Sequence, residues 1–166
     1  MAQRRRFMLA APVLHKPVAD DPQARPPTPD DAEALAVLMH DAYRDTVDDE
    51  GESLEASRAV VQQLFGGEFG AMQWAVSEVT ERAGRVVAAI LVTHWQERPF
   101  VAFTLTAPNH QKRGLARAGL LRAINRLAAA DEKVVRLVVT QGNEQAERLY
   151  ERLGFRPEAQ PPFTTP

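Results

Sequence analysis

Val86, Val87, Ala88, Ala89, Ile90, Leu91 and Val92 follow one another without a polar side chain. Side chains of a strand alternate between the two faces of a sheet, so an unbroken apolar run of this length fits a strand covered on both sides. The strand is expected over residues 85–95. Residues 73–80, rich in β-formers, precede it across a turn carrying Gly84, and residues 100–106 follow it across a turn at Glu97, Arg98 and Pro99. Turns this short predict three antiparallel neighbours.

Helices must supply the covering layers. Thr28 can cap one, with Pro29 at its first position and Asp31 where a capping-box acid belongs. Leu35, Leu38, Met39 and Ala42 then recur at helical spacing. Ser53 caps a second helix that buries Val60, Val61 and Leu64 and stops at Gly66 and Gly67. After Pro108 the pattern changes to helix, strand, helix. Leu120, Leu121, Ile124, Leu127 and Ala128 mark the first helix, residues 134–139 a buried strand, and Ala146, Leu149, Tyr150 and Leu153 the last helix, ended by Gly154. A strand–helix–strand succession implies a right-handed crossover and a parallel pair.

The 166 residues suit one core. A net charge of -2 argues against a nucleic-acid partner. The chain contains no cysteine, which excludes disulfides, thiolate metal sites and a cysteine nucleophile, and fits a cytoplasmic setting. No apolar run is long enough to span a bilayer, so no membrane partner is expected. Arg4, Arg5 and Arg6 before the apolar residues 7–14 superficially resemble a secretory signal, but Pro12 breaks the run, which reads as a short extra strand. The expected organisation is an N-terminal arm with that strand and a Pro-rich linker over 1–27, a domain over 28–157, and a Pro-rich tail over 158–166.

Gln111, Lys112, Arg113, Gly114, Leu115 and Ala116 lie between the strand ending at Thr106 and the long helix. A helix start offers unpaired N–H groups and the positive end of a dipole, which together attract an anion. Gly114 and Ala116 carry almost no side chain, so a diphosphate can approach the backbone. Lys112, Arg113 and Arg117 add charge, and no acidic residue occurs between Arg98 and Asp131. The dinucleotide and P-loop glycine patterns are both absent. On the last helix the chain reads NEQAERLYERLGF from Asn143 to Phe155.

Together, QKRGLA and NEQAERLYERLGF resemble the GNAT superfamily of N-acetyltransferases, whose patterns are Q/R-x-x-G-x-G/A and N-x-x-A-x-x-x-Y-x-x-x-G-F. The resemblance runs more loosely from Thr28 to Phe155. It implies a mixed α/β (α+β) fold: a central, mostly antiparallel sheet with one parallel, splayed strand pair and helices on both faces. It implies that Gln111 through Ala116 hold the pyrophosphate of acetyl-CoA, that backbone groups of Leu105, Thr106 and Ala107 pair with the pantetheine arm, that Asn143 bonds the cofactor near the split, and that Tyr150 is the general acid. No metal is implied.

The reaction would be attack of a neutral amine on a thioester. A backbone N–H near Leu105 could meet the oxyanion and the Tyr150 phenol could protonate the leaving thiolate. Where many relatives carry a basic glutamate, this chain has Ala102 and Val138; Glu78, His94, Glu97 or a water chain remain as base. Asp41, Asp45, Asp48, Asp49, Glu50, Glu52 and Glu55 form an acidic cluster that reads as a solvated loop or as a rim attracting a cationic amine. The family adds two strands after the position of Phe155, for which this chain has little length. Residues 7–14 are expected to fill one strand place, from the same chain or from a second copy in a homodimer. A catalytically idle CoA-binding regulatory module and a protein-interaction domain are the competing readings.

Overall fold

The structure, a computed structural model, describes residues 5–158; Arg4 and the Pro-rich tail beyond Glu158 lie outside them. In chain order the strands and helices are β1 (Arg6–Pro12), β2 (Ala24–Arg25), α1 (Ala32–Tyr43), α2 (Leu54–Phe65), β3 (Ala71–Met72), β4 (Glu78–Arg82), β5 (Arg85–Trp95), β6 (Arg98–Thr106), α3 (Leu115–Ala129), β7 (Val134–Thr140), α4 (Glu144–Arg152) and β8 (Arg156–Pro157). One sheet takes the order β2-β4-β5-β6-β7-β1-β8, with β3 also on β5. Its pairs are antiparallel except β6 with β7, the crossover pair expected from the strand–helix–strand order.

The apolar run does what its composition demands. Ile90 and Val92 enter a core with Leu120, Ile124, Val139 and Tyr150 on the α3 and α4 side. Ala89 and Leu91, their alternating neighbours, enter a second core with Leu35, Met39, Val61 and Leu64 of α1 and α2. The helix starts also follow their side chains. The Thr28 N–H donates to Asp31 Oδ2 at 2.7 Å, and a 3-10 turn over Pro29–Asp31 leads into α1. The Ala56 N–H donates to Ser53 Oγ at 3.1 Å at the start of α2.

Residues 73–80, read above as one strand, are not one. Residues 74–76 form a turn, and the Ser77 N–H donates to the Gln73 carbonyl at 3.0 Å. The Ser77 hydroxyl causes the break. It donates to the Gln73 carbonyl at 2.8 Å and accepts from the Val92 N–H at 2.9 Å, taking the place of a strand partner. Strand pairing begins only at Glu78. Trp74, in that turn, packs on Phe65, and Trp95, at the end of β5, packs on Phe100.

The residues before Thr28 are woven into the sheet. β1 pairs along β7 from Arg6↔Thr140 to Pro12↔Val134, so the extra strand place is filled by the chain itself. Residues after it cross α3, where Lys16 and Asn125 exchange two hydrogen bonds and Arg122 Nη1 donates to the Ala19 carbonyl. Asp21 then pairs with Arg82 at 2.7 Å, and β2 joins β4.

Beneath α3 lies a charged contact. Glu78 is 1% exposed and accepts from Arg122 Nε at 3.0 Å and from Arg126 Nη2 at 2.7 Å. Its hydrogen bonds raise the Arg122 pKa above the ordinary guanidinium value against the opposing effect of burial. Gly119 lets the helix sit this close, because a Cβ there would lie 2.9 Å from Ile90 Cγ1.

Two outcomes follow from these contacts. Arg122→Leu strips a buried carboxylate of its main partner and should cost about 3 kcal/mol in urea unfolding, with much of the loss recovered in Glu78→Leu/Arg122→Leu; additive losses would refute the pairing as the cause. Deleting residues 1–19 bares the edge of β7. Light scattering should then detect association, or calorimetry the loss of a cooperative transition. A truncated monomer as stable as the full chain would show that β1 is dispensable.

Candidate active site

β6 and β7 pair only at Phe100↔Arg136 and Val101↔Leu137. Beyond these, β6 runs to Thr106 along β5, and β7 runs to Thr140 along β1, so the two strands diverge and a gap opens between them. The Ala107 N–H donates to the Val87 carbonyl at 2.7 Å. Antiparallel alternation then turns the backbone groups of Leu105 and Ala107 toward β5, and those of Thr104 and Thr106 toward the gap. The Ala107 carbonyl is also taken, by the His110 N–H at 2.9 Å. Among the three backbone positions expected to meet a ligand, only Thr106 faces the opening. Thr104 was not singled out by sequence.

At the C-terminal end of β6 the chain turns through Pro108–His110 into α3. Lys112 and Gly114 have φ of 61° and 77°, and Gly114 is the N-cap. No side chain caps this helix; the first backbone bond it offers is from the Ala118 N–H to the Gly114 carbonyl at 3.0 Å. The N–H groups of Leu115, Ala116 and Arg117 precede that bond and have no partner within the helix. A Cβ built at Gly114 meets nothing within 4 Å, so the space over this backbone is open. Lys112, Arg113 and Arg117 are exposed around it, and Gln111, half-buried, leans its Nε2 toward the Thr106 carbonyl at 3.5 Å. The basic field is narrower than the sequence implied, because Arg122 and Arg126 farther along α3 are occupied by Glu78.

Across the gap, Asn143 caps α4: its Oδ1 accepts the Ala146 N–H at 3.3 Å, leaving Nδ2 as its donor. Tyr150, two turns on, is 8% exposed, with its ring 5.9 Å from that of Phe155. Burial raises its pKa above the ordinary phenol value; the neighbouring Thr104 side chain opposes the rise and Asp48 adds to it. Thr104 Oγ1 is shut off from solvent and lacks a partner in hydrogen-bonding geometry among the described residues, while it lies near enough to Tyr150 to lower that phenol's pKa.

The chain's second tyrosine, Tyr43, belongs to the same place. Burial raises its pKa, and then the charges of Asp48 and Tyr150. It continues the buried face of α1 one turn beyond Met39, and extending that periodicity would have found it. The acidic loop folds so that Asp48 acts on both tyrosines. Asp49 shapes it, its carboxylate accepting from the N–H groups of Asp45 at 2.7 Å and Gly51 at 2.8 Å. Asp41 and Glu55 pair with Arg44 and Arg58, which leaves residues 45–52 as the negative rim.

The candidate bases fare poorly. Glu78 is held in its two arginine contacts. His94 and Glu97 lie at the β5–β6 turn, opposite Pro99 or beside Arg98. Eight residues, roughly 26 Å of strand, separate that turn from Thr106. Ala102 and Val138 flank the gap and have no proton-accepting side chain. Among the described residues no three His, Asp or Glu side chains are grouped to hold a metal ion.

Several solved structures with a similar fold are acetyltransferases. A GCN5-related N-acetyltransferase from Sphaerobacter thermophilus superposes with a TM-score of 0.71 at 18% identity, over 93% of this chain and 49% of that one. The chain thus spans about half of that relative. A GNAT family acetyltransferase from Brucella melitensis, in complex with acetyl-CoA, gives 0.62 at 18% identity over 85% and 90% of the two chains. A diaminobutyrate acetyltransferase from Paenibacillus lautus, in complex with its substrate L-2,4-diaminobutyric acid and coenzyme A, gives 0.58 at 22% identity over 78% and 72%. At these identities the likeness is one of fold. No curated protein matches the chain in sequence. The sequence profile of the acetyltransferase (GNAT) family matches residues 33–155, and the chain belongs to that family.

Proposed function

We propose that the protein transfers an acetyl or other acyl group from coenzyme A to a primary amine of a small molecule or protein. Membership of the family supports acyl transfer in general. The observation that carries the finer reading is the alignment of an uncapped, open helix start with a gap between strands that ends at a buried phenol. Gln111, Lys112, Arg113, Gly114, Leu115 and Ala116 would hold the pyrophosphate. The strand end Leu105, Thr106 and Ala107 would guide the pantetheine arm, with the gap-facing groups of Thr106 and Thr104 making the hydrogen bonds. Asn143 would donate through Nδ2. The Thr104 or Thr106 N–H, facing the gap, would meet the oxyanion. Tyr150 would give its proton to the departing sulfur, and its raised pKa keeps that proton in place through the neutral range.

The negative rim around Asp48 would draw a cationic amine toward the tyrosines. Nitrogen deprotonation would fall to water, since no carboxylate stands at Ala102 or Val138. That same lack favours a second reading, an idle CoA-binding regulatory module. The described residues contain no helix long and apolar enough to cross a membrane. With no cysteine to oxidise, the chain suits the cytoplasm as the place of the reaction.

Calorimetry should detect heat on adding acetyl-CoA to the wild type and none with Gly114→Glu, which sets a carboxylate in the open cradle. That variant should remain folded, since the φ of 77° costs a non-glycine residue about 1–2 kcal/mol. Thiol release from acetyl-CoA, followed across a panel of amines, separates the readings: turnover supports the transferase, and binding with no turnover supports the idle module. Tyr150→Phe should lower kcat about 100-fold with acetyl-CoA binding kept. The wild-type rate should climb with pH as the amine deprotonates and fall only above the ordinary tyrosine value of 10.0. An undiminished Tyr150→Phe rate would remove Tyr150 from the chemistry. Asp48→Asn should raise KM for cationic amines selectively; an unchanged KM would reduce the rim to a solvated loop.

A further inference from the structure

The geometry points to Thr104 as a positioning residue for the reaction, its hydroxyl turning to donate to the Tyr150 oxygen as that oxygen gives up its proton. The inference rests on the acyl-transfer reading. It starts from an oddity of the structure: Thr104 Oγ1 is the buried side-chain oxygen that finds no hydrogen-bond partner among the described residues. A buried hydroxyl left unsatisfied is costly, and one beside a reacting group has a hydrogen bond still to give during the reaction.

Its placement fits that role. Val101 is the last residue of β6 to pair with β7, and Thr104 lies three residues, about 10 Å, farther into the diverging segment. It stands opposite Ile90 of β5, which shares a core with Tyr150 and Val139. The charged neighbour that acts on Tyr150 is Asp48, from the loop after α1; Tyr43, at the end of α1, is acted on in turn by Tyr150, by Asp48 and Glu52 of the same loop, and by Arg6 of β1. Asp48 opposes a phenolate there. Thr104 is the group that favours one.

The step balances as follows. The amine nitrogen bonds to the thioester carbonyl carbon, and the carbon–sulfur bond breaks with its electron pair on sulfur. The Tyr150 O–H proton moves to that sulfur, leaving a phenolate in a nearly dry pocket. The Thr104 O–H, with no competing acceptor, donates to the phenolate. The proton shed by nitrogen goes to solvent, and solvent returns one to Tyr150.

Thr104→Val keeps the shape and removes the hydroxyl; Thr104→Ser keeps the hydroxyl. Thr104→Val should lower kcat about tenfold, the worth of one hydrogen bond to a charged group, with KM for acetyl-CoA within about twofold by the same reckoning. Thr104→Ser should restore kcat. In a Tyr150→Phe background, Thr104→Val should change nothing further, because the residue acts through the phenol. A readout free of turnover is the phenolate ultraviolet absorbance of Tyr43→Phe protein, which reports Tyr150 alone. Its titration midpoint should move up when Thr104→Val is added. An unchanged kcat, an equal loss in both backgrounds, a rise in KM alone or an unmoved midpoint would each overturn the inference. If Tyr150→Phe turns over at the wild-type rate, the transferase reading of Tyr150 fails first and this inference with it, a result distinct from a silent Thr104→Val beside a crippled Tyr150→Phe.

Discussion

Two parallel strands that part while remaining strands must find their hydrogen bonds elsewhere, and this constraint governs the molecule. β6 takes them from β5 as far as Thr106, and β7 takes them from β1 as far as Thr140. Neither could hold its course alone, since unpaired backbone groups in a buried sheet are expensive. The parting leaves the inner backbone groups of Thr104 and Thr106 without a strand to meet, which is the condition for an extended ligand to lie between them. In this chain the outer support of β7 comes from the N-terminus. The first strand in sequence is thereby a condition for the gap formed by strands more than ninety residues later.

The helix that begins at the mouth of the gap is set by a different force. Gly119 brings α3 against Ile90, and Glu78 reaches from β4 to two arginines on successive turns. Such a buried cluster adds little net stability compared with an apolar contact, but it is sensitive to position, because each displaced partner leaves a charge behind. The Gly114 backbone and its basic neighbours therefore stand at a fixed distance from β6. Charge on α3 is divided by depth: Arg122 and Arg126 serve the packing, while Lys112, Arg113 and Arg117 stay exposed at the helix start.

Much of this was legible in the residues. The two-sided strand β5 followed from its apolar run, α1 and α2 from their caps, and the turn into α3 and α4 from their motifs, because each rests on local periodicity or local hydrogen bonding. What escaped depends on contacts between distant segments. The Ser77 hydroxyl bonding to Val92 broke a strand that composition favoured. Glu78 looked like a free acid until Arg122, forty-four residues away, closed on it. The phase of backbone alternation, which turns Thr104 and Thr106 rather than Leu105 to the gap, is fixed by the register with β5 and has no signature in side-chain types. Tyr43 was within reach of the helical period, but its partner Tyr150 comes from the other end of the chain.

A negative rim beside an apolar gap imposes opposite demands on an amine. Carboxylates at 45–52 attract a cation, yet a nearby negative charge also raises the amine's pKa and so withholds its lone pair. At an ordinary value near 10.4, only about one lysine-like amine in a thousand is neutral at pH 7. Burial acts the other way, since leaving water disfavours the charged form. On the acyl-transfer reading the two effects operate in sequence along the approach. Capture occurs at the exposed loop around Asp48, and the proton is lost as nitrogen passes between Ala102 and Val138, where the walls offer no carboxylate to hold it. A glutamate at either position would accept that proton, but it would also hold the amine as a cation inside the gap. Without one, desolvation must lower the amine's pKa far enough for water to take the proton, and the acidic groups remain at the distance where they recruit rather than trap.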